Sequence, residues 1–438
     1  MLLLVATVFA QDKKGSYSFS LKEAVNHALQ NNYSAINANR DIEAAKKKKW
    51  EITTLGLPQV NGAIGYQNNI EIQKSLIPAE IFGGTQGTFQ EVAFGVKHNM
   101  NASLTLTQLI FDGSYLVGLQ SAKTYLKISE NAKVKTNQEI TEMVINSYGN
   151  VLLADESILI LDKNKQNLEK TLFQTNEIFK NGFIEEENVE QLQITLTSLN
   201  NSLKNVIRQR TIALNMLKLL LGIDLDETLL LTEKLEAVSQ NNVDLQLLST
   251  SYDVNNSIDY QIGKNIEQSK EIFLRLEKSK ALPSIGAALN FGYNGFGSNF
   301  NFFSGNQRWF NYSNLGVSMS IPIFSSLGRS AKTQQAQIAL DQSRTDLTQT
   351  QQKLELQFAK AKSDYEFSLE QLTNAKSNLK LAERIENKNG IKFKEGLSSS
   401  FELTEAQRQL YATQQSYLQA MLDVINKKAT LEKLISKN

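Results

Sequence analysis

The 438-residue chain is 41% hydrophobic and 21% charged, which is too apolar for a disordered chain and too polar for a bundle of membrane helices. Its 46 lysines and arginines against 45 aspartates and glutamates give a formal charge of +1, so no basic excess exists to bind nucleic acid. Cysteine is absent, which excludes disulfides, thiol catalysis, cysteine-based metal sites and a lipidated cysteine.

The N-terminus carries a short apolar run, Leu2 to Phe9, followed by Ala10 and a polar stretch. This pattern predicts the remnant of a signal peptide over residues 1–10 and an exported protein. The alternative is a frayed apolar N-terminus, because the usual positive n-region is missing. Elsewhere no apolar run reaches the ~18 residues that a spanning helix needs, so we expect no membrane helices.

Three short sequences occur twice. Leu57-Pro58 recurs as Leu282-Pro283, Ile110-Phe111 recurs as Ile323-Phe324, and the segment 179–183 recurs as 393–397. The last two pairs share an offset of about 213 residues, which indicates one structural unit used twice. We predict a first repeat over 11–221, an inter-repeat segment over 222–260 and a second repeat over 261–438. Each repeat is predicted as helix, strand, loop, strand, very long helix, turn and helix.

Four segments alternate apolar and polar residues with a period of two, which is typical of strands with one apolar face. The first repeat is predicted to hold one strand from Val60 to Ile72 and one of about fifteen residues from Val92 to Leu106. The second is predicted to hold strands from Ile285 to Tyr293 and from Leu315 to Ile323. Such lengths suit tilted transmembrane strands of about nine to eleven residues. Aromatic residues of the third-to-fourth loop are predicted to form an interfacial girdle: Phe300, Phe302, Phe303, Trp309, Phe310 and Tyr312.

Two long segments, Ser114 to Lys180 and Leu327 to Glu395, contain no proline. Each predicts a helix of about 100 Å at 1.5 Å per residue, which is typical of a coiled-coil tube. Four strands cannot close a transmembrane barrel, and unpaired edges are costly in hydrocarbon. Eight strands from a dimer fill their own interior, whereas twelve from a trimer leave a lumen. We therefore expect a homotrimer in contact with outer-membrane lipid.

In this order of elements the chain resembles the TolC family of outer-membrane efflux proteins, from Ser20 to Ser436. The resemblance implies a mixed α and β fold: a homotrimeric twelve-stranded transmembrane β-barrel continued by an α-helical coiled-coil tunnel in the periplasm. It implies an exit duct of a tripartite efflux or type I secretion system, with a periplasmic adaptor and an inner-membrane pump as partners. It also implies an equatorial layer, to which Thr228 to Thr232 would supply a short strand. The long first hairpin loop, Ile77 to Gly84, departs from the family pattern.

The resemblance also implies two kinds of functional residue. The turns that end the long helices would face the adaptor, and the docking candidates are Lys180, Asn181, Gly182, Phe183, Lys394, Glu395, Gly396 and Leu397. Glu402 and Glu405 share one helical face because of their spacing of three, and the family places acidic residues here in a periplasmic gate. Phe393 and Ser398 stand where the family has a tyrosine and an arginine latch. The alternative is a solvated carboxylate pair that stabilises a helix N-terminus.

Two other classes of protein are the alternatives. An enzyme is disfavoured because His27 and His98 are isolated in sequence and no phosphate loop or carboxylate pair in a cleft is recognisable. We expect no catalytic residues, no cofactor and no metal. A soluble periplasmic coiled-coil adaptor or structural protein would share the long helices. It would not need four long alternating strands with aromatic flanks.

Overall fold

The structure, a computed structural model, describes residues 15–436. The predicted signal peptide remnant, 1–10, lies outside these residues. The helices in the described part are α1 (Leu21–Asn31), α2 (Tyr33–Thr54), α3 (Gly113–Lys180), α4 (Glu186–Leu221), α5 (Leu235–Asn241), α6 (Ile258–Ser279), α7 (Gly328–Lys394) and α8 (Ser400–Ile435). The strands there are β1 (Ser16–Phe19), β2 (Gln59–Asn68), β3 (Lys74–Pro78), β4 (Phe89–Ala93), β5 (His98–Asp112), β6 (Thr228–Leu231), β7 (Ser284–Gly297) and β8 (Trp309–Ser320).

The chain divides into two compact units. A sheet unit comprises residues 43–127 and 266–344, and a helical unit comprises the described parts of 1–42, 128–265 and 345–438. Helices α3 and α7 each begin in the sheet unit and end in the helical unit as continuous helices of 68 and 67 residues. Neither helix contains a proline, so nothing in their sequences interrupts the backbone hydrogen bonding.

In the sheet unit, β2, β5, β7 and β8 form one sheet in that order, with every neighbouring pair antiparallel. Strands β3 and β4 pair separately as a hairpin. Within residues 15–436, the outer edges of β2 and β8 have no strand partner. The sheet unit therefore ends in two open edges.

Three strand predictions need correction. The predicted strand from Val92 to Leu106 is divided into β4 and β5 by residues 94–97, because Gly95 adopts φ +128°, a backbone conformation outside the strand region. Strand β2 ends at Asn68 rather than at Ile72, and the predicted loop that follows contains the extra hairpin of β3 and β4. Strand β8 ends before Pro322, which has no N–H to donate to a ladder.

The helical unit has a core where the middle of α3 meets the C-terminal parts of α4 and α8. Val144 and Tyr148 of α3 pack there with Leu217 of α4 and Ile425 of α8, and all four are fully buried. Ala24 and Ala28 place α1 on the same core, since small side chains allow close approach of the backbones. Strand β6 confirms the short strand predicted near Thr228, and it pairs in parallel with β1, which the sequence analysis did not predict.

One helix of the described residues, α3, contains an 18-residue stretch that is long and apolar enough, by length and composition, to span a membrane. No stretch of this length and apolar character was predicted from the sequence. Half of that stretch is buried inside the protein. The buried residues Val144, Tyr148, Val151 and Leu152 of α3 belong to the helical core, so packing accounts for much of this helix's apolar character.

Candidate functional site

One face of the sheet is apolar across all four strands. In the register of the sheet Val60 lies opposite Leu106, Leu106 opposite Leu289, and Leu289 opposite Leu315. Successive side chains of a strand point to opposite sides. This row therefore assigns to one face the even residues of β2, the even residues of β5 before the register shift at Leu109, and the odd residues of β7 and β8. Many of these side chains are exposed, among them Val60, Ile64, Leu104, Leu289, Leu315, Val317 and Met319. An apolar face of this extent suits contact with hydrocarbon rather than water.

The opposite face of the sheet is polar and internally hydrogen-bonded. The Thr105 hydroxyl donates to Oδ1 of Asn290 over 2.8 Å, and Nδ2 of Asn290 donates to Oδ1 of Asn314 over 2.9 Å. These three side chains lie opposite one another on β5, β7 and β8. The row holds amide and hydroxyl groups on a surface that is otherwise rich in glycine and serine. This face is therefore suited to contact with water.

An aromatic cluster lies at one end of the sheet. The hydroxyl of Tyr66 and Nδ1 of His98 are 2.8 Å apart, and the ring of Tyr66 contacts Phe300 and Phe302. Phe302 also contacts Trp309 and is 2% exposed. Phe300, Phe302 and Trp309 were predicted as girdle residues, whereas Tyr66 and His98 were not. Tyr66 is the aromatic residue in the alternating pattern of β2 and lies near the end of that strand. This position was the sequence feature that could have predicted its place in the cluster.

Both long helices end in the same kind of turn. In the first, Gly182 has φ +79°, its N–H donates to the carbonyl of Phe179, and the N–H of Phe183 donates to the carbonyl of Ile178. In the second, Gly396 has φ +71° and donates to Phe393, while Leu397 donates to Lys392. This pair of bonds defines a Schellman motif, which needs a left-handed residue and so favours glycine.

The side chains predicted as docking candidates are exposed at these turns. Phe183 and Leu397 occupy the same position of the motif and are 80% and 77% exposed. The ammonium of Lys180 lies 2.7 Å from the carboxylate of Glu177, and the side chain of Asn181 donates to the carbonyl of Glu177. Lys394, Glu395 and both glycines are also exposed. The structure therefore presents each turn as an exposed apolar side chain beside charged groups, and the first turn adds the amide of Asn181.

A direct contact joins the helices that follow the two turns. The hydroxyl of Ser400, at the start of α8, hydrogen-bonds the side chain of Asn188 in the first turns of α4. Ser400 is 2% exposed. A buried hydroxyl held by a partner restricts both helix ends, since breaking the bond would leave a polar group unsatisfied. The contact, which the sequence analysis missed, sets the two turns beside each other.

Glu402 lies in the first turn of α8 and caps it. The hydroxyl of Ser399 accepts a hydrogen bond from the backbone N–H of Glu402, and the Glu402 carboxylate accepts one from the backbone N–H of Ser399, which completes a capping box. The hydroxyl of Ser398 donates to the same carboxylate over 2.7 Å. These bonds, first from Ser398 and then from Ser399, hold the pKa of Glu402 below its usual value of 4.5. The carboxylate is therefore ionised at neutral pH.

Glu405 follows one turn later and has a different partner. Its carboxylate lies 2.8 Å from the guanidinium of Arg408, and both side chains are largely exposed. The spacing of three residues places Glu402 and Glu405 on neighbouring positions of one helical surface, as predicted. Arg408 was not predicted as a partner, although its spacing of three residues from Glu405 is typical of an ion pair on a helix. It offsets one of the two negative charges in each copy.

The sequence from 24–223 and 274–437 matches the family model described as "Outer membrane efflux protein". The match covers most of the chain, and the protein belongs to this family. A search of curated protein sequences gives no match.

Solved structures share the fold at low sequence identity. CusC, in a structure described in terms of transmembrane channel formation, is 18% identical with a TM-score of 0.76, over 96% of this chain and 92% of that chain. The outer membrane protein VceC of Vibrio cholerae is 14% identical with a TM-score of 0.74, over 95% and 96%. The CmeC outer membrane channel of Campylobacter jejuni is 16% identical with a TM-score of 0.73, over 95% and 85%. The chain therefore has a helix-rich mixed fold like that of outer membrane channels.

Proposed function

We propose that this protein is the outer-membrane exit duct of a tripartite efflux or type I secretion system. It would passively conduct substrates that an inner-membrane pump and a periplasmic adaptor deliver to it, without enzymatic activity of its own. The observation that carries the proposal is the four-stranded antiparallel sheet with one apolar face, one polar face and two open edges. Membership of the outer membrane efflux protein family supports the same function and an outer-membrane location.

The open edges support a barrel built from three copies. Strands β2 and β8 run in opposite directions, because three antiparallel steps separate them in the sheet. Strand β8 of one copy can therefore pair in antiparallel fashion with β2 of the next, which satisfies the backbone groups that hydrocarbon would leave unpaired. Twelve strands would then close, with the apolar face toward lipid and the polar row of Thr105, Asn290 and Asn314 toward the lumen.

The long helices supply the second part of the duct. Helices α3 and α7, about 100 Å each at 1.5 Å per residue, together with α4 and α8, would form a coiled-coil tunnel in the periplasm. In this scheme residues 11–221 and 261–438 are the two repeats, and 222–260, which contain β6, contribute to an equatorial layer. Nearly equal helix lengths in both halves support a duplicated tunnel wall: 68 and 67 residues for the first pair and 36 for each member of the second.

The two turns are the proposed adaptor-docking surface. Exposed Phe183 and Leu397 offer two apolar contacts in equivalent geometry, and Lys180 and Lys394 offer cationic groups beside them. The contact of Ser400 with Asn188 keeps the two turns together, so an adaptor would meet both as one surface. The glycines themselves serve to turn the chain.

Glu402 and Glu405 are proposed to form the periplasmic gate. Three copies would bring six carboxylates around one axis, where they would attract cations. The exposure of both carboxylates supports this role. Because Glu402 also caps α8 and Glu405 pairs with Arg408, the alternative of a helix-stabilising pair has direct contacts in its favour. Single-channel recording, described in the Discussion, separates the two.

Fractionation and mass measurement test the proposed duct. We expect the protein in the outer membrane, a trimeric mass in mild detergent, and ion conductance in planar bilayers. A soluble protein in the periplasm would instead favour the coiled-coil adaptor or structural protein. A monomeric or dimeric mass in mild detergent would contradict the shared barrel.

A further inference from the structure

The hairpin of β3 and β4 is an ordered element that exposes large apolar side chains. It is inserted between β2 and β5, beyond their last paired residues, Asn68 and His98. Leu76, Ile81, Phe82 and Phe89 are all more than half exposed. Nothing in the proposed duct function uses these residues.

Several contacts fix the shape of the hairpin. The ammonium of Lys74 lies 3.0 Å from the carboxylate of Glu91 across the strand pair. Residues 79–82 form one turn of 3-10 helix, and the carboxylate of Glu80 accepts a hydrogen bond from the N–H of Gly87 over 2.7 Å. Gly83 has φ +78°, and Gly84 packs so closely on Ala79 that a Cβ would clash. The tip is therefore preorganised rather than a loose loop.

The position of the hairpin places its tip in water. The aromatic cluster of Tyr66, His98, Phe300, Phe302 and Trp309 lies at the end of the sheet from which the hairpin emerges. Such clusters mark the boundary between hydrocarbon and water in barrels, so the hairpin extends past that boundary. An ordered apolar tip that is exposed to water usually marks a site where a partner binds.

The composition of the tip favours other copies of itself as that partner. Between Ser75 and Gln90 the only charged residue is Glu80, and its carboxylate is engaged within the same turn. Three copies can therefore approach without strong mutual repulsion. Twelve strands about 4.8 Å apart and tilted by about 40° enclose a radius of about 12 Å. Strands β3 and β4 of five residues each span about 17 Å at 3.3 Å per residue, which is enough to reach the axis.

We propose that the β3–β4 hairpins of three copies pack against one another through Ile81 and Phe82, with Leu76 and Phe89 behind them, and narrow the outer mouth of the channel. This inference rests on the proposed trimeric barrel. The contact buries apolar side chains that each copy alone leaves in water. It also gives the long first hairpin loop, which departs from the family pattern, a role.

Single cysteines test this contact, because the chain contains none of its own. Phe82→Cys places equivalent thiols at the tip of each hairpin. Gln73→Cys is the matched control at the base, where the proposed barrel keeps the copies about 20 Å apart for a radius of about 12 Å. In a protein of trimeric mass we expect Phe82→Cys to form disulfide-linked dimers on oxidation and to react slowly with a bulky maleimide. Gln73→Cys should remain uncrosslinked and react quickly.

Each result has a distinct meaning. If Phe82→Cys forms no dimer and reacts as fast as Gln73→Cys in a trimeric protein, the hairpin contact is wrong while the proposed duct stands. A third outcome is that Phe82→Cys forms no crosslinks and reacts slowly with maleimide in the membrane but quickly in trimeric detergent samples. That result would mean that lipid covers the tip, and it would overturn the contact between copies. A monomeric mass would overturn both proposals. Ile81→Cys, one residue away, serves as a second variant if Phe82→Cys assembles poorly.

Discussion

The two turns at the ends of α3 and α7 share a backbone but differ in how the next helix begins. Both form the same Schellman motif around Gly182 and Gly396. The N-cap of α8 is Ser399, whose side chain makes a capping box with Glu402, whereas the N-cap of α4 is Glu185, whose side chain makes no cap hydrogen bond. A duplicated backbone thus carries different side-chain chemistry. We infer that the turn geometry serves docking in both halves, and that only the second half places carboxylates for a gate.

The positions of the gate candidates make the difference explicit. Aligning the first residues of the two helices, Glu186 and Ser400, pairs Glu402 with Asn188 and Glu405 with Gln191. The second helix has carboxylates where the first has amides. The first helix instead carries acidic residues at its N-cap Glu185 and at Glu186, Glu187 and Glu190, which align with Ser399, Ser400, Phe401 and Thr404 of the second half. The comparison therefore supplies matched controls for each substitution.

The largest effect is expected from the docking surface that both turns share. Replacing Phe183 and Leu397 with Ser, and Lys180 and Lys394 with Glu, should abolish export, because it removes the apolar and cationic contacts while leaving both glycines. Trimer yield and bilayer conductance should be unchanged. Export assays with each turn altered separately show whether the two halves contribute equally. Normal export by the fourfold variant would remove the docking proposal.

The second effect is on cation selectivity, and it is expected from the second half of the chain only. Glu402→Gln with Glu405→Gln should reduce cation selectivity and weaken block by divalent or trivalent cations in single-channel recordings, since it neutralises six carboxylates of the proposed gate. Glu186→Gln with Glu187→Gln removes the same number of charges from the equivalent turn and should have the smaller effect. Equal effects, or none, would leave Glu402 and Glu405 as helix-stabilising residues.

A smaller effect is expected from the capping box. Ser399→Ala should destabilise the start of α8 by about 1 kcal/mol, the usual cost of losing an N-cap side chain. Glu185→Ser should change the stability of α4 in the opposite direction, because it offers a cap where the structure shows none. Amide hydrogen exchange at the first turns of both helices measures each change. Faster exchange in α4 of Glu185→Ser would contradict the comparison.

The smallest effect is a pH dependence at Glu402. Its pKa is lower in the folded protein than the usual 4.5, so its contribution to stability is present above the pKa of the unfolded chain and is lost as pH falls through the folded value. The capped turn of the wild type should therefore loosen on acidification below about pH 4.5. Glu402→Gln should show less of this change. Hydrogen exchange of α8 in both proteins at pH 6 and at lower pH measures it, and an identical acid response would contradict the assigned contacts.

The sequence predicted the elements that repeat, whereas among the elements that occur once it located β6 but missed β1 and the β3–β4 hairpin. Two long segments without proline were sufficient to predict α3 and α7, and alternation with a period of two located the four strands of the sheet. The β3–β4 hairpin was missed because Phe94 and Val96 continue the alternation across Gly95, whose positive φ breaks the strand. Strand β1 was missed because its alternation of serine and aromatic residues covers only four residues, and because it pairs with β6 across more than 200 residues of sequence.

The candidate site was predictable only in part. A glycine after a long helix indicates a reversal, so both turns were located correctly. The spacing of Ser399 and Glu402 is that of a capping box, and the structure shows that box. The contact of Ser400 with Asn188 joins residues 212 positions apart, and no local pattern predicts such a pair. Whether Glu402 and Glu405 face an axis depends on neighbouring copies and remains a prediction.

Disulfide crosslinking between β8 and β2 of neighbouring copies tests the central claim, the barrel shared by three chains, most directly. The register places odd residues of β8 and even residues of β2 on the same face, and directly opposite residues have Cβ atoms about 4.5–5.5 Å apart. Val317→Cys should therefore crosslink with a cysteine at one of Val60, Gly62, Ile64 or Tyr66, and give covalent dimers and trimers. Cysteines at Asn61, Ala63 and Gly65 should not react with it. Only monomers for every pair, in protein extracted from the outer membrane, would contradict the shared barrel.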